Sequence, residues 1–388
     1  MRVKLSLIGL YKERRYILEI LHINSNYLHS SLYSEMLYRL ENENINNTVV
    51  MPRRINDAKH VANDVIDIRG TIKNKQFLTS VDRFLYFHKH RKITNWLKTE
   101  NIEFDNYDVI HAHTLFSDGY QAYISNKPYV VTVRNTDINY YFKYFKHLKS
   151  LGKKILRNAN AIVFLSETYK QRTINYLFKR EEAQAIVAKS YTIGNGINEF
   201  WIQNMSKVKK TIGETINIII VCRIMKNKNI ELLAENLTAK LIGKNINIHV
   251  VGEIVDKDYF DSLQKFENLI FHGKKTKLEL IELMRDMHIF IMLSHKETFG
   301  LVYLEAITQN LPVIYTKGEG FDCYFNEGAV GYASSSKDGT ELIKQTHKVL
   351  QKYNQLQQQL SHIDKRQFSW EHNAESHKNI YESIILRG

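Results

Sequence analysis

The sequence predicts an α/β protein whose parallel sheets fall into two domains. Short apolar, β-branched runs alternate with segments of helical period along the whole chain. The 388 residues exceed the ~250–300 that one core accommodates. A polar stretch, 203–213, splits the runs into two series. Strands alternating with helices make parallel sheets, whose ligand sites lie at the carboxyl ends of the strands.

In chain order, strands are expected at 17–23, 109–111, 129–133, 161–165, 216–221, 246–251, 269–271, 289–293 and 312–315. Helical spacing is expected at 30–40, 166–178, 230–241, 277–287 and 301–308. The turn Gly194-Asn195-Gly196, the polar 203–213 stretch and the fresh buried strand at Ile216 put a domain boundary between Asn195 and Thr215. The domains are read as 1–203 and 204–370.

Hydrophobic residues at 44% and charged residues at 24% exclude a disordered chain, and 3 prolines with 17 glycines exclude collagen-like and proline-rich classes. The net charge of +13 is uneven: residues 1–200 hold 30 Lys/Arg against 19 Asp/Glu. A basic half points to an anionic partner, whether a phosphorylated ligand, acidic lipid or nucleic acid. Cys222 and Cys323 make no disulfide framework and fit a reducing compartment. No apolar run reaches the ~18 residues of a membrane span. The apolar stretch 5–10 mimics a signal peptide but runs into Lys12, Arg14 and Arg15 without a small-residue cleavage site. The reading is a cytosolic protein able to touch the inner face of the membrane.

The segment 294–306 carries the most chemistry. It follows a buried strand and opens a helix, with Glu297 in the loop and Glu305 eight residues on. The amides of Thr298, Phe299, Gly300 and Leu301 would form the helix N-terminus, a favourable place for phosphate. A carboxylate further along can take ribose hydroxyls. The second piece is Arg223 at a strand exit with Lys228 five residues on, two cations able to neutralise a diphosphate and the charge that develops as it leaves.

These segments resemble glycosyltransferase family 4, the retaining, nucleotide-sugar-dependent enzymes of the GT-B fold. Glu297 and Glu305 match the family's E-x7-E signature, and Arg223 with Lys228 its R-x4-K pair. Asp108-Val109-Ile110-His111-Ala112-His113, Ile193-Gly194-Asn195-Gly196-Ile197, Leu311-Pro312-Val313-Ile314 and Phe368-Ser369-Trp370-Glu371 resemble further family motifs in order, so the likeness runs over roughly residues 16–385. It implies two Rossmann-like domains facing across a cleft, the second holding the donor and the first the acceptor, with a last helix (371–388) returning to the first domain. It further implies that Glu297 contacts hydroxyls of the transferred sugar, Glu305 the ribose, and Arg223 and Lys228 the diphosphate. Gly252-Glu253 and Gly273-Lys274 would frame the base, Asn195 would lie on the donor side, and His113 would line the reaction centre without acting as general base. No metal or bound cofactor is implied. The partners implied are a nucleotide-sugar donor and a glycan or lipid-linked acceptor, with no nucleic acid.

Four features depart from the family pattern, one of them Asn310 in place of the usual glycine before Leu311-Pro312. The loop 24–31 lacks the family's glycines, so the hydroxyls of Ser30 and Ser31 or the helix start are expected to substitute. Arg134 stands where the family often has His, which suits an anionic acceptor. Phe321-Asp322 replaces a Pro-Glu turn. Competing readings cover the remaining motifs. Asp256-Lys257-Asp258 has a metal-binding D-x-D form, but Asp256 precedes a helical pattern and reads as an N-cap. His111 and His113, two apart in a strand, could begin a zinc site that nothing nearby in sequence completes. The aromatic-basic stretch 140–157, with 83–98, suits a helix on an acidic membrane surface. A basic binding module for nucleic acid or anionic polymer, and another GT-B enzyme such as a sugar-nucleotide epimerase or a phosphorylase, are the alternatives.

Overall fold

The structure, a computed structural model, describes residues 17–55, 61–62 and 64–387; the signal-like start lies outside them. The chain divides into two compact units. The first comprises residues up to 165, 170–196 and those from 370 on; the second comprises 166–169 and 197–369.

The first unit is built on a seven-stranded sheet in the order β3-β2-β1-β4-β5-β6-β7. Its strands are β1 (Leu18–Ile23), β2 (Ile45–Arg54), β3 (Thr71–Leu78), β4 (Val109–Ala112), β5 (Tyr129–Val133), β6 (Ala161–Phe164) and β7 (Ser190–Thr192). Every pairing is parallel. β4, β5 and β6 are buried along their whole length, because helices cover both faces of a parallel sheet. The final helix, Trp370–Arg387, belongs to this unit. It buries Trp370, Ala374, Ile380, Tyr381 and Ile384 with Leu18, Ile20, Val49 and Val109 of the sheet. Gly196 has no side chain for a packing reason: a Cβ there would lie 2.7 Å from the Trp370 ring.

The second unit has six parallel strands in the order β10-β9-β8-β11-β12-β13. They are β8 (Thr215–Val221), β9 (Asn245–Val251), β10 (Leu269–Phe271), β11 (Ile289–Met292), β12 (Val313–Thr316) and β13 (Gly331–Ser334). Ile216, Ile218, Ile219 and Ile220 of β8 are all buried, each stabilising the fold by about 1.5–3 kcal/mol. In both sheets the strand order reverses beside the first strand, between β1 and β4 and between β8 and β11. The carboxyl ends of those pairs are the places where open α/β sheets bind ligands.

The structure revises several expectations. Residues 197–203, assigned by sequence to the first domain, belong to the second unit, because Ile197 and Trp201 are buried in its core. The stretch 140–157 is not one amphipathic helix. It is broken into a π-turn (Asp137–Tyr141), short turns and the helix Lys149–Asn158, because Phe142, Phe145 and Leu148 turn inward. The helix expected at 230–241 breaks into Ile230–Asn236 and Ala239–Ile242. Asp256 is an N-cap: its carboxylate accepts from the Tyr259 amide at 3.0 Å.

Candidate functional site

In the second unit, Arg223 and Lys228 follow β8 while the turn with Glu297 follows the neighbouring β11. The two loops are stitched together. Asn227 accepts the His295 amide at 2.9 Å through its carbonyl and donates from its side chain to the Lys296 carbonyl at 3.1 Å. Asn229, held in the left-handed region at φ 56°, donates to the Leu293 carbonyl at 3.2 Å and the Ser336 carbonyl at 2.9 Å. This framework sets Lys228 Nζ 2.9 Å from Glu297 Oε2, both side chains mostly buried. Arg223, two residues past the end of β8, is exposed.

The backbone of the Glu297 turn is fixed from below. Its amide donates to Glu319 at 2.8 Å, and its carbonyl accepts from the Gly320 amide at 2.7 Å. A Cβ on Gly320 would sit 1.9 Å from the Thr298 carbonyl oxygen, so only glycine allows that approach. Phe321 is buried, and Asp322 closes the loop by accepting from the Gly318 amide at 2.7 Å; Phe321-Asp322 is thus a structural turn in its own right.

The helix begins at Leu301, as the spacing predicts, but the amides ahead of it do not form its N-terminus. Gly300, at φ 82°, caps Leu301–Thr308, so its leading amides are those of Leu301 and Val302 and not those of Thr298 and Phe299. Phe299 is a core residue packed edge-on to Tyr324. Glu305 lies inside the helix, and burial pushes its carboxyl up to about 7, with Lys277 and Trp201 pulling the other way. Gly252 and Gly273 are neighbours, the Gly252 amide donating to the Gly273 carbonyl at 2.9 Å, while Glu253 and Lys274 beside them are exposed.

Asn195 lies in the first unit, in the loop after β7, and is half-buried. Ser30 caps the helix Ser31–Glu41 by accepting the Leu32 amide, and Ser31 donates its proton to Asp64 at 2.8 Å. The two hydroxyls expected to replace a glycine-rich loop are therefore committed to structure. A 3-10 turn, Tyr27–His29, anchored by the fully buried Tyr27, occupies that loop.

His113 follows β4 in the first unit, beside the strand-order reversal. It is fully buried among His22, His111 and His377. The hydrogen bonds fix the tautomers. Asn47 donates its amide to the Leu37 carbonyl, so its oxygen, 2.9 Å from His22 Nε2, is an acceptor and that nitrogen carries a proton. Burial lowers His22 to about 3, so the ring is neutral and its Nδ1 accepts from His113 Nε2 at 3.0 Å. Burial and the other histidines hold His113 well below the usual range, which leaves its Nδ1 a bare acceptor, buried and without a partner among the described residues. His22, His111 and His113 do bring three ligand atoms within 4.8 Å, completing in space the cluster that sequence left open. Both nitrogens of His22 and of His111 are already hydrogen-bonded, the latter to Thr132 and Tyr381, so the set fits a proton-ordered network better than an ion site.

Two buried carboxylates shape the turn beyond His113, and no sequence motif marked either. Asp137 accepts the amides of Leu115, Phe116 and Arg134. Burial pushes it up to about 6. Asp118 accepts from Ser25 and Thr114. Arg134 Nε donates to the His113 carbonyl at 3.1 Å, and its guanidinium lies over the Tyr33 ring at 4.7 Å.

The fold defines a class: two parallel-sheet, Rossmann-like units of GT-B type. Family models match both, Glycosyltransferase Family 4 over residues 33–198 and Glycosyl transferases group 1 over residues 202–367. The chain belongs to glycosyltransferase family 4. Among curated relatives, the capsular polysaccharide biosynthesis glycosyltransferase CapM of Staphylococcus aureus is 25% identical over 245 residues, 59% of this chain and 63% of that protein. The chain spans less than two thirds of that relative's length. Among solved structures, sucrose-phosphate synthase from Thermosynechococcus elongatus covers 96% of this chain and 100% of its own at 16% identity and a TM-score of 0.68. Anabaena Alr3699/HepE, in complex with UDP and glucose, covers 94% and 100% at 15% identity and a TM-score of 0.63. No helix among the described residues is long and apolar enough to cross a membrane.

Proposed function

We propose that the protein is a retaining glycosyltransferase that moves a sugar from a nucleoside diphosphate sugar to a glycan or lipid-linked acceptor in bacterial surface polysaccharide or glycoconjugate synthesis. The observation that carries this reading is the Lys228–Glu297 pair, a cation and a carboxylate 2.9 Å apart where the strand order reverses. CapM's name supports the pathway class, and the UDP and glucose held by HepE support the donor class.

In this reading Lys228, Arg223 and the first amides of Leu301–Thr308 receive the diphosphate. Glu305 accepts from the ribose, and Glu297 from hydroxyls of the sugar. Gly252-Glu253 and Gly273-Lys274 frame the base. The bond from the anomeric carbon to the β-phosphate oxygen breaks and its electron pair stays with the phosphate. The acceptor oxygen bonds to that carbon on the same face and gives its proton to the departing phosphate. Lys228 and Arg223 neutralise the charge formed on leaving, work a divalent ion does in other transferases, so the reaction as proposed needs no metal. His113 is held neutral by burial and is not cast as the general base. The protein acts in the cytoplasm, against the inner membrane face.

The test is release of nucleoside diphosphate from a panel of UDP- and GDP-sugars, with the anomeric configuration of the product read by proton NMR. Release from one donor with retained configuration, lost in Glu297→Ala, is expected. Inverted product, or release unchanged in both Glu297→Ala and Lys228→Gln, contradicts the proposal.

A further inference from the structure

Beyond the carboxyl ends of β1, β2 and β3, the first unit contains a cavity of about 180 Å³ whose lining includes Arg53, Arg54, Arg83, Lys89, Ser117 and Tyr140. Asp82 also lines it, but that carboxylate already accepts from the Thr79 amide and hydroxyl and pairs with Lys92 at 2.9 Å. Among the described residues none of the four cations forms an ion pair, and the buried Nε of Arg53 has no partner. Burial pulls the Lys89 ammonium down to about 8, with Arg54 adding to the shift and Asp118 opposing it. Four cations with no ion-pair partner among the described residues line one small cavity; Arg83 lies over the Tyr140 ring and Lys89 over the Tyr86 ring, and Asp82 and Asp118 offset the charge of Lys89 only in part, so a multiply charged anion is favoured there.

The segment that supplies Arg83 and Lys89 also carries an apolar surface. Val81, Phe84, Leu85 and Phe87 are 58, 69, 51 and 60% exposed, an unusual concentration within seven residues. Phe84 extends towards Phe145, and Phe87 meets Tyr120 edge-on. A polar anion hole with an apolar rim is complementary to an amphiphile whose charge sits at one end.

We propose that this cavity binds the phosphate or diphosphate group of a lipid-borne acceptor, whose hydrocarbon chain lies across Phe84, Leu85 and Phe87. The inference rests on the transferase reading for the word acceptor and names that acceptor's class as a lipid phosphate. The basic-aromatic stretch 83–98, read from sequence together with 140–157, supplies Arg83, Lys89 and the exposed Phe84, Leu85 and Phe87, and Tyr140 of the other stretch lines the same cavity.

The test is co-sedimentation of the full chain, with saturating UDP present to occupy the donor site. The vesicles are phosphatidylcholine alone, phosphatidylcholine with undecaprenyl phosphate, and phosphatidylcholine with phosphatidylglycerol at matched charge. Inorganic pyrophosphate serves as the soluble competitor. The undecaprenyl phosphate vesicles are expected to bind about tenfold more tightly than the phosphatidylglycerol ones, and pyrophosphate to compete. Arg53→Gln/Arg83→Gln is expected to lose both vesicle and pyrophosphate binding while its melting temperature and UDP affinity stay unchanged. Phe84→Ser/Phe87→Ser should lose the vesicles and keep pyrophosphate. Equal binding to the two anionic vesicles, or undiminished binding by the arginine double variant, overturns the proposal. Lipid phosphate binding without UDP binding would sink the transferase reading and leave the cavity assignment standing.

Discussion

Glu297→Gln and Lys228→Gln are expected to move UDP affinity in opposite directions. At 2.9 Å the Lys228–Glu297 attraction is gross ~6 kcal/mol at an effective dielectric of about 20. Desolvation of two mostly buried groups cancels most of it, leaving a net ~1–2 kcal/mol. An arriving diphosphate competes with Glu297 for the ammonium, so part of that net is surrendered on binding. Glu297→Gln keeps the size of the side chain and removes the competition, so UDP should bind about as well or up to roughly fivefold more tightly, equivalent to ~1 kcal/mol. Lys228→Gln removes a charge-assisted hydrogen bond of ~1.5–3 kcal/mol and should weaken UDP by roughly ten- to a hundredfold. Sugar transfer should be lost in both. Isothermal titration with UDP reads the affinities directly. If Glu297→Gln weakens UDP as much as Lys228→Gln does, Glu297 is a nucleotide ligand and the division of roles is wrong.

Three further outcomes follow from the geometry. Gly252→Ala puts a Cβ 1.7 Å from the Cys222 carbonyl oxygen at a φ of +147°, so thermal unfolding should show a loss of about 3 kcal/mol or more; an unchanged melting temperature would contradict the crossing of those two loops. The Glu305 carboxyl, raised from 4.5 to about 7, binds its proton more tightly in the folded state. Its contribution to stability is therefore full below about pH 4.5 and lost as pH rises to about 7. Glu305→Gln should match the parent near pH 5 and exceed its stability by ~2–3 kcal/mol above pH 8 in urea unfolding; a constant difference across pH would refute the shift. His113 should remain neutral and protonated on Nε2 in nitrogen-15 NMR at pH values where a free histidine is already charged, and Asn47→Ala should cost ~1–3 kcal/mol by orphaning the buried His22 Nε2–H. A proton on Nδ1 would break the chain of tautomers.

The donor-side residues were legible because their relationships are local or follow strand exits. Glu297 and Glu305 sit eight apart in one strand-turn-helix, and Arg223 follows a run of isoleucines that reads as a buried strand. β2 and β3 were not legible. The first half of β2 is Ile-Asn-Asn-Thr and the strand contains Pro52, while β3 is a largely polar edge strand, so neither shows the apolar period. β13, Gly-Tyr-Ala-Ser, has no branched residue at all. With β2 missing, Asn47 had no place beside His22, and the histidine network depends on strand register as much as on motif. Asp118 and Asp137 were missed for a related reason: each works by accepting bonds from residues distant in the chain, such as Ser25 or Leu115, and local sequence carries no signal for that.

The most direct measurement is a crystal structure of the UDP complex. The account predicts the β-phosphate within hydrogen-bond distance of Lys228 Nζ, near Arg223 and the amides of Leu301 and Val302, with a ribose hydroxyl on Glu305. A diphosphate bound elsewhere, with Lys228 still held by Glu297, would contradict it.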